Sequence, residues 1–573
     1  MAKQQVEVEE LTSFLEERAD YLEESELLAC TVQDGDFYKS IYAALISRGT
    51  KLIVGPRGCG KTHLMRYAWT KCKGDESLPL AIYVSFNKYF RLEPLLKSKP
   101  NAIALFNTWV LAKILIAAHE VACDIEDDQE LDLSSILFAT KQDLESIVER
   151  LEQSLSPTSD LEFLVEKISV SGVTNALHSL TEWLERKRIV VLLDDAAITL
   201  TPEYLYEFFD IVRTLKTSRI SPKASVYPGT TEYGPKFHVA HEAESVDAWL
   251  SIEADNYALV LGAIAQKRFN EYEKIPEDIS QLLKYAAFGI PRAYLMMLRE
   301  YHSDSSRSSQ QKFNKLIEKY TSVRLSEYRS LVSKLPRLES IIDTGEATLN
   351  KIVELIKDAN SPAKKTTQKQ IIIGIEEEEN PLFNRMISLL VEVGLLLKLP
   401  NVSHGEDRSY ERYIPHLALL IRNRVFSQGL HGFSPQHMID FIGRKNVKHP
   451  VRRTSKTLLG EELLQKLQLT LPPCRKCNAI RLTDTQRFCH ECGSLLVDES
   501  TFNKCMALEL SNLPRLTSWQ SKVITGLDGA KTVGDILSMQ DPGTELRKLR
   551  RVGRKTADKI ISNVLLYVDE FLS

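Results

Sequence analysis

The residues with the clearest chemistry are Gly55-Pro56-Arg57-Gly58-Cys59-Gly60-Lys61-Thr62, which have the G-x-x-x-x-G-K-T spacing of a nucleotide phosphate cradle. Glycines let backbone N–H groups turn inward around the β- and γ-phosphates, Lys61 adds a compact cation, and the Thr62 hydroxyl is a ligand for Mg2+. His63 follows directly and belongs to the residues expected against the nucleotide. A second set, Asp194-Asp195, supplies carboxylates: Asp194 to hold Mg2+ directly or through water, Asp195 to polarise an attacking water. A third set is Cys474, Cys477, Cys489 and Cys492, two Cys-x-x-Cys pairs separated by residues 478–488 and close enough to shut one tetrahedral Zn2+ site. Four thiolates saturate the ion, which predicts a structural metal with His490 as a bystander.

The flanking sequence predicts elements that hold these groups. Lys51 to Val54 is a short apolar run before the cradle, and His63 to Trp69 continues as helix, so the cradle falls where strand turns into helix. Leu80 to Phe86 and Ile189 to Leu193 read as further strands, the second uninterrupted apolar as in a strand covered on both faces, with Asp194 and Asp195 at its C-terminal end. Lys223 to Tyr227 is another, leading into Pro228-Gly-Thr-Thr-Glu-Tyr-Gly234, where the hydroxyls of Thr230 and Thr231 could orient water or read the γ-phosphate. Phe288-Gly-Ile-Pro-Arg292 starts a helix at Pro291, which brings Arg292 into reach of a phosphate or an acid. Strands alternating with helices predict a parallel sheet.

This order of motifs, from Gly55 through Lys61-Thr62, Asp194-Asp195 and Thr230/Thr231 to Gly289-Ile-Pro-Arg292, resembles AAA+ ATPases, and more narrowly the origin-recognition initiator branch and its bacterial relatives. The resemblance covers roughly residues 31 to 325. It implies ATP and Mg2+ as cofactors, Thr230 or Thr231 as a first sensor and Arg292 as a second. Asp195 stands where initiators usually carry Glu, which shortens its reach to water. Arg213 and Arg219 lie in the interval where an arginine finger for a neighbour's nucleotide would fall; Arg219 is the candidate, and a finger implies a homo-oligomer or a partner subunit.

In the carboxyl half, a helix from Pro381, closed near Gly394, is followed by strand-like ends around residues 401–409, an arrangement that resembles a winged-helix domain. Gly443 to Lys456 holds Arg444, Lys445, Lys448, Arg452, Arg453 and Lys456 without an acid and reads as a basic linker. Past the cysteines, residues 506–573 resemble the C-terminal domain of the bacterial RNA polymerase α subunit, with a helix-hairpin-helix in which Gly553 permits the turn and Arg551, Arg554 and Lys555 face DNA phosphates.

At 573 residues the chain has room for about four domains. Its net charge of −4 argues against a wholly basic nucleic-acid binder. The start, Met1 to Glu10, has no apolar h-region, and the apolar stretch Ala102 to Cys123 is broken by Asn107, Thr108, Lys113, His119 and Glu120, so it predicts a buried helix and no membrane partner. The scattered Cys30, Cys59, Cys72, Cys123 and Cys505 suit a reducing cytoplasm. The expected architecture is multidomain: an N-terminal helical segment (1–30), an α/β P-loop NTPase (AAA+) core (31–235), a helical lid (236–325), a winged-helix-like domain (326–430), a basic linker (431–470), a zinc ribbon (471–500) and an all-α helix-hairpin-helix tail (501–573). The expected function is a cytoplasmic ATPase that binds duplex DNA without sequence preference and acts as a nucleotide-controlled switch or loader, with phage defence or mobile-element biology as association only. The alternative is a slowly or non-hydrolysing scaffold that recruits a separate effector enzyme, and a third reading gives the tail an RNA or RNA-polymerase contact.

Overall fold

A computed structural model describes residues 19, 22–33, 35–93, 95–195, 201–306, 308–361, 368–377, 380–403, 409–427, 434–448, 450–471, 473–474, 476–481, 486, 488–494, 496, 505–513, 516, 518–524, 526–527, 530–539, 542–549 and 552–572. Most of the expected N-terminal helical segment lies outside them.

The first unit is a parallel sheet of β1 (Lys51–Val54), β2 (Leu80–Ser85), β3 (Ile189–Asp194), β4 (Ile220–Val226) and β5 (Glu244–Asp247), ordered β2-β3-β4-β1-β5. β3 and β4 are buried along their whole length, as strands of a sheet covered on both faces are, and the one lysine inside β4, Lys223, donates to Ser47 O at 2.8 Å. One face carries Leu52, Ile82, Val191 and Leu193 against Trp109 and Phe208; the other carries Ile53, Ala81 and Val190 against Met65 and Leu261. Edge strand β5, Glu-Ser-Val-Asp, is too polar to be read as a strand from its sequence, and it pairs with β1 in register from Lys51↔Glu244 to Val54↔Asp247.

Helices that position the sites are α1 (Asp36–Ile46), α2 (Lys61–Lys73), α3 (Ala102–Glu126), α4 (Pro202–Leu215), α5 (Tyr257–Arg268), α6 (Glu277–Ala287) and α7 (Pro291–Ser303). α3 is long and apolar enough to cross a membrane by composition, yet Trp109, Leu111, Ile114 and Leu115 on it are fully buried inside the protein.

The second unit begins with the long helices α8 (Ser309–Lys334) and α9 (Glu339–Ala359) and is organised by a sheet ordered β7-β8-β6-β9. Its strands are β6 (Ile373–Glu376), the antiparallel hairpin β7 (Leu396–Ser403) and β8 (Ser409–Pro415), and β9 (Val451–Arg453). Helices α10 (Pro381–Glu392), α11 (Leu417–Arg422), α12 (Pro435–Ile442) and α13 (Ser455–Lys466, broken at Gly460 with φ 72°) complete it. The basic stretch read as a linker is therefore folded: β9 pairs parallel to β6 from Ile373↔Val451 to Ile375↔Arg453, and the Lys369 ammonium donates to Ile442 O at 2.7 Å and Glu253 at 2.9 Å. A run of cations masks the short Val451-containing strand because charge dominates composition where only a few residues are paired.

One apolar cluster runs unbroken from Cys59 and Met65 through Ile290 and Leu298 into Leu389, Leu395 and Ile414, so the two units share a core. The tail ends in α14 (Pro542–Arg547) and α15 (Arg554–Leu572), on which Leu546, Ala557, Ile560 and Val564 are buried.

Candidate nucleotide site and cysteine cluster

The cradle is the turn from β1 into α2. Gly58 and Gly60 adopt φ of 82° and 104°, a region closed to most side chains, and Lys61 opens α2 behind them. The Lys61 side chain is 6% exposed; its ammonium donates to Gly55 O at 2.7 Å and Pro56 O at 3.2 Å and lies 4.1 Å from the centroid of the Tyr227 ring. Thr62 occupies the same first helical turn. Of the remaining cradle residues, Pro56 and Cys59 are buried, and exposed Arg57 places its guanidinium 5.7 Å from the same Tyr227 ring. His63 turns away from the cradle: its Nε2 lies 2.8 Å from Thr31 Oγ1, and the Thr31 hydroxyl spends its own proton on Leu27 O at 2.6 Å, so the ring nitrogen is the donor.

Asp194 ends β3 and is fully buried. Its Oδ2 accepts from the Tyr83 hydroxyl at 3.1 Å, while Oδ1 has no protein partner. A buried carboxylate oxygen without a donor is costly in an apolar setting and fits a divalent cation instead. Asp195 turns the chain with φ 55° and its N–H donates to Ser225 Oγ at 2.9 Å. Arg292 meets the cradle from the other side: its backbone N–H points at Gly58 O at 3.5 Å, and a Cβ added to Gly58 would lie 3.1 Å from Arg292 Cβ. Gly289 of the same motif (φ 75°) admits no other residue, since a Cβ there would sit 2.0 Å from Leu250 O.

Thr230, Thr231 and Arg219 make contacts of their own. The Thr230 hydroxyl donates to Glu392 Oε1 at 2.9 Å, in the second unit, and Thr231 Oγ1 accepts from the Tyr227 N–H at 3.0 Å, so both side chains help hold the loop. Because β4 lies between β1 and β3, the residue that follows its last position is delivered between Lys61 and Asp194, and that residue is Tyr227, buried at 7% exposure. Sequence reading passed over it because an aromatic at a strand end looks like core. Arg219 stands at the opposite, N-terminal end of β4, exposed and paired with Glu182 at 2.8 Å, while Arg213 is paired with Asp210 on its own helix at 2.7 Å.

The four cysteines come together: their Sγ atoms all lie within 4.8 Å of one another, with Cys474–Cys492 at 3.5 Å and Cys477–Cys489 at 3.4 Å. The two halves repeat one knuckle. Asn478 N–H donates to Cys474 O at 2.7 Å as Gly493 N–H does to Cys489 O at 2.9 Å, Cys474 N–H donates to Ala479 O as Cys489 N–H does to Ser494 O, and Asn478 and Gly493 share left-handed φ of 59° and 64°. Ser494 Oγ, which sequence reading missed, lies 3.2 Å from Cys474 Sγ and 2.8 Å from Cys492 Sγ. That hydroxyl, with the backbone N–H groups of Cys477 and Lys476, holds the Cys474 thiol down to about 5. The donor set is compatible with Zn2+ in a closed four-sulfur site.

In the tail, Arg551 lies outside the described residues. Gly553 precedes α15 and accepts at its carbonyl from Thr556 and Ala557 N–H groups, but its φ is not in the left-handed region and nothing lies within 4 Å of a Cβ placed there, so the turn does not require glycine. Arg554 and Lys555 are exposed on the first turn of α15.

A parallel sheet with an inserted strand between the cradle strand and the acidic strand, a lysine opening the following helix and an orphan carboxylate beside it define a P-loop ATPase of the AAA+ kind. The family model described as ORC-CDC6-like matches residues 12–375, more than half of the chain, and the chain belongs to that family. Membership implies use of ATP and Mg2+. No curated protein matches the sequence.

Proposed function

We propose that this protein is an ATP-hydrolysing switch whose nucleotide state controls how its carboxyl-terminal modules engage duplex DNA. The observation that carries the reading is the buried Lys61 ammonium at the turn after β1 together with the unpartnered Asp194 Oδ1 at the end of β3, the two strands being separated only by β4. In this reading Gly55 to Thr62 hold the phosphates, Thr62 and Asp194 hold Mg2+, Asp195 orients water and Arg292 reads the bound nucleotide. Exposed Arg219 is the finger offered to a second copy. The second unit acts as a winged-helix-like module, the cysteine knuckles as a zinc ribbon, and the α14–α15 pair as a helix-hairpin-helix that sets Arg554 and Lys555 against DNA phosphates, positioning without specifying sequence. A cytoplasmic setting and a role in defence or mobile-element biology accompany this reading as associations. A scaffold that hydrolyses slowly and recruits an effector is the second reading, favoured by the occupation of both Thr230 and Thr231 away from the cradle.

ATP turnover of wild type, Lys61→Ala and Asp195→Asn, each with and without duplex DNA, separates the two. DNA-stimulated turnover that both substitutions abolish is expected. Nucleotide binding without turnover in any condition supports the scaffold, and no binding at all overturns both.

A further inference from the structure

Residues 227–231 form a short loop gripped at both ends. At its start, the Tyr227 ring lies under the Lys61 ammonium at 4.1 Å and the Arg57 guanidinium at 5.7 Å, a distance at which a ring face attracts a cation. Burial first, then the charges of Asp195 and Asp194, push the Tyr227 phenol up. Tyr227 and Thr231 close the loop on each other, Tyr227 N–H donating to Thr231 Oγ1 at 3.0 Å and Thr231 N–H to Tyr227 O at 3.4 Å.

At its other end the loop is held by a single carboxylate. Glu392, the last residue of α10, takes the Gly229 N–H at 2.8 Å and the Thr230 N–H at 2.6 Å on Oε2, and the Thr230 hydroxyl at 2.9 Å on Oε1. Glu392 is 8% exposed, so these donors satisfy a charge that burial would otherwise penalise. Backbone contact reinforces the joint. A Cβ added to Gly229 would lie 2.7 Å from Leu389 Cα and 2.8 Å from Leu389 N, and one added to Gly394 (φ 77°) would lie 3.1 Å from Ile290 Cδ1 and 3.8 Å from Pro56 Cβ. Just past the loop, Glu232 is paired with Arg385 of α10 at 3.3 Å and with Arg337, between α8 and α9, at 3.2 Å.

We propose that Glu392 is a positioning residue for the nucleotide site: by fixing the amides of Gly229 and Thr230 it fixes Tyr227, and through the Tyr227 ring it sets where the Lys61 ammonium stands. The second unit thus reads the Lys61 ammonium through a five-residue loop, and by linkage a nucleotide phosphate that draws on Lys61 changes how tightly α10 is held. The inference rests on the ATP reading given above.

The test is titration with a fluorescent ATP analogue. Glu392→Ala is expected to weaken binding by about 5- to 150-fold, the usual range for coupled sites. Glu392→Gln keeps the shape of the clamp, with its carbonyl on the amides and its amide on the Thr230 hydroxyl, and is expected to stay within about threefold of wild type, as coupling carried by geometry requires. Tyr227→Phe keeps the ring and should bind like wild type, whereas Tyr227→Leu should lose affinity, and the Tyr227→Leu/Glu392→Ala double variant should bind no worse than the weaker single variant. Amide exchange over residues 381–394 should respond to the analogue in wild type and in Tyr227→Phe but not in Tyr227→Leu. Additive losses in the double variant, undiminished binding in a folded Glu392→Ala, or exchange in α10 that ignores bound analogue overturns the inference. Wild type that fails to bind the analogue overturns the ATP reading instead.

Discussion

The phosphate cradle and the cysteine cluster, whose four sulfurs are compatible with Zn2+, are supported in opposite ways. Behind the cradle, Leu52, Ile53, Val190, Val191 and Leu193 are fully buried, so sheet, turn and lysine persist whatever occupies the site. Around the cysteines the apolar side chains face outward, Ile480 at 76% and Phe488 at 60% exposure, and among the described residues of the knuckles the buried groups are chiefly Cys474 and Cys489 themselves. Where the scaffold has a core the ion is an addition to the fold; where it has none the ion replaces the core.

Metal removal is the strongest way to break that comparison. Structural zinc supplies about 10–16 kcal/mol of apparent binding free energy that is also folding free energy in such small modules. A zinc-selective chelator in excess Mg2+, or Cys477→Ser, should therefore make residues 473–496 susceptible to protease while nucleotide titration of the core stays unchanged. Joint loss of both, followed by proteolysis and titration on one sample, would mean that the ribbon supports the core.

A smaller effect is expected where the two units meet. Gly229→Ala forces a methyl against the Leu389 backbone, which cannot swing aside as a side chain would. Overpacking of this kind costs about 1–3 kcal/mol. Thermal melting should shift down, and amide exchange should rise in α10 before it rises in β1. A substitution without effect would show that the two units separate readily, and the cradle would then be independent of more than the metal.

The cradle was legible because its chemistry is local: Gly55 to Thr62 and Asp194-Asp195 carry their spacing in the chain, and the cysteine pairs do the same. The edge strand β5 and the strand β9 were hidden by their polar composition, since a strand paired on one side keeps charged residues in water. The contacts of Thr230 and Thr231 were hidden for a different reason. Which residue at a strand end faces Lys61 depends on the insertion of β4 between β1 and β3 and on Glu392 arriving from far along the chain, and neither is written in the loop itself. Likewise Gly553 suggested a tight turn by type, whereas its backbone adopts an ordinary conformation.

The weakest perturbation separates the regions by pH. His416 is 1% exposed at the junction of β8 and α11; its Nδ1 accepts from Ala418 N–H at 3.1 Å, its Nε2 lies 3.3 Å from the Tyr320 oxygen, and its ring stands 4.7 Å from that of Phe288. Burial first, then the Arg324 guanidinium, holds it well below the usual histidine range, so it stays neutral in the folded chain. The unfolded chain takes up a proton as pH falls through about 6.5 and the folded one does not, so stability is complete above that value and declines below it. The loss deepens as pH falls further below that value, because only the unfolded chain takes up the proton. His416→Asn, which retains a side-chain acceptor for the α11 N-terminus, should flatten the pH dependence of amide exchange across residues 409–422. Exchange in the cysteine knuckles should keep its own pH dependence in that variant, because thiolate protonation there releases metal by a separate route. If His416→Asn altered both alike, the junction and the ribbon would unfold as one cooperative unit, and the contrast between a site held by a core and a site held by an ion would fail.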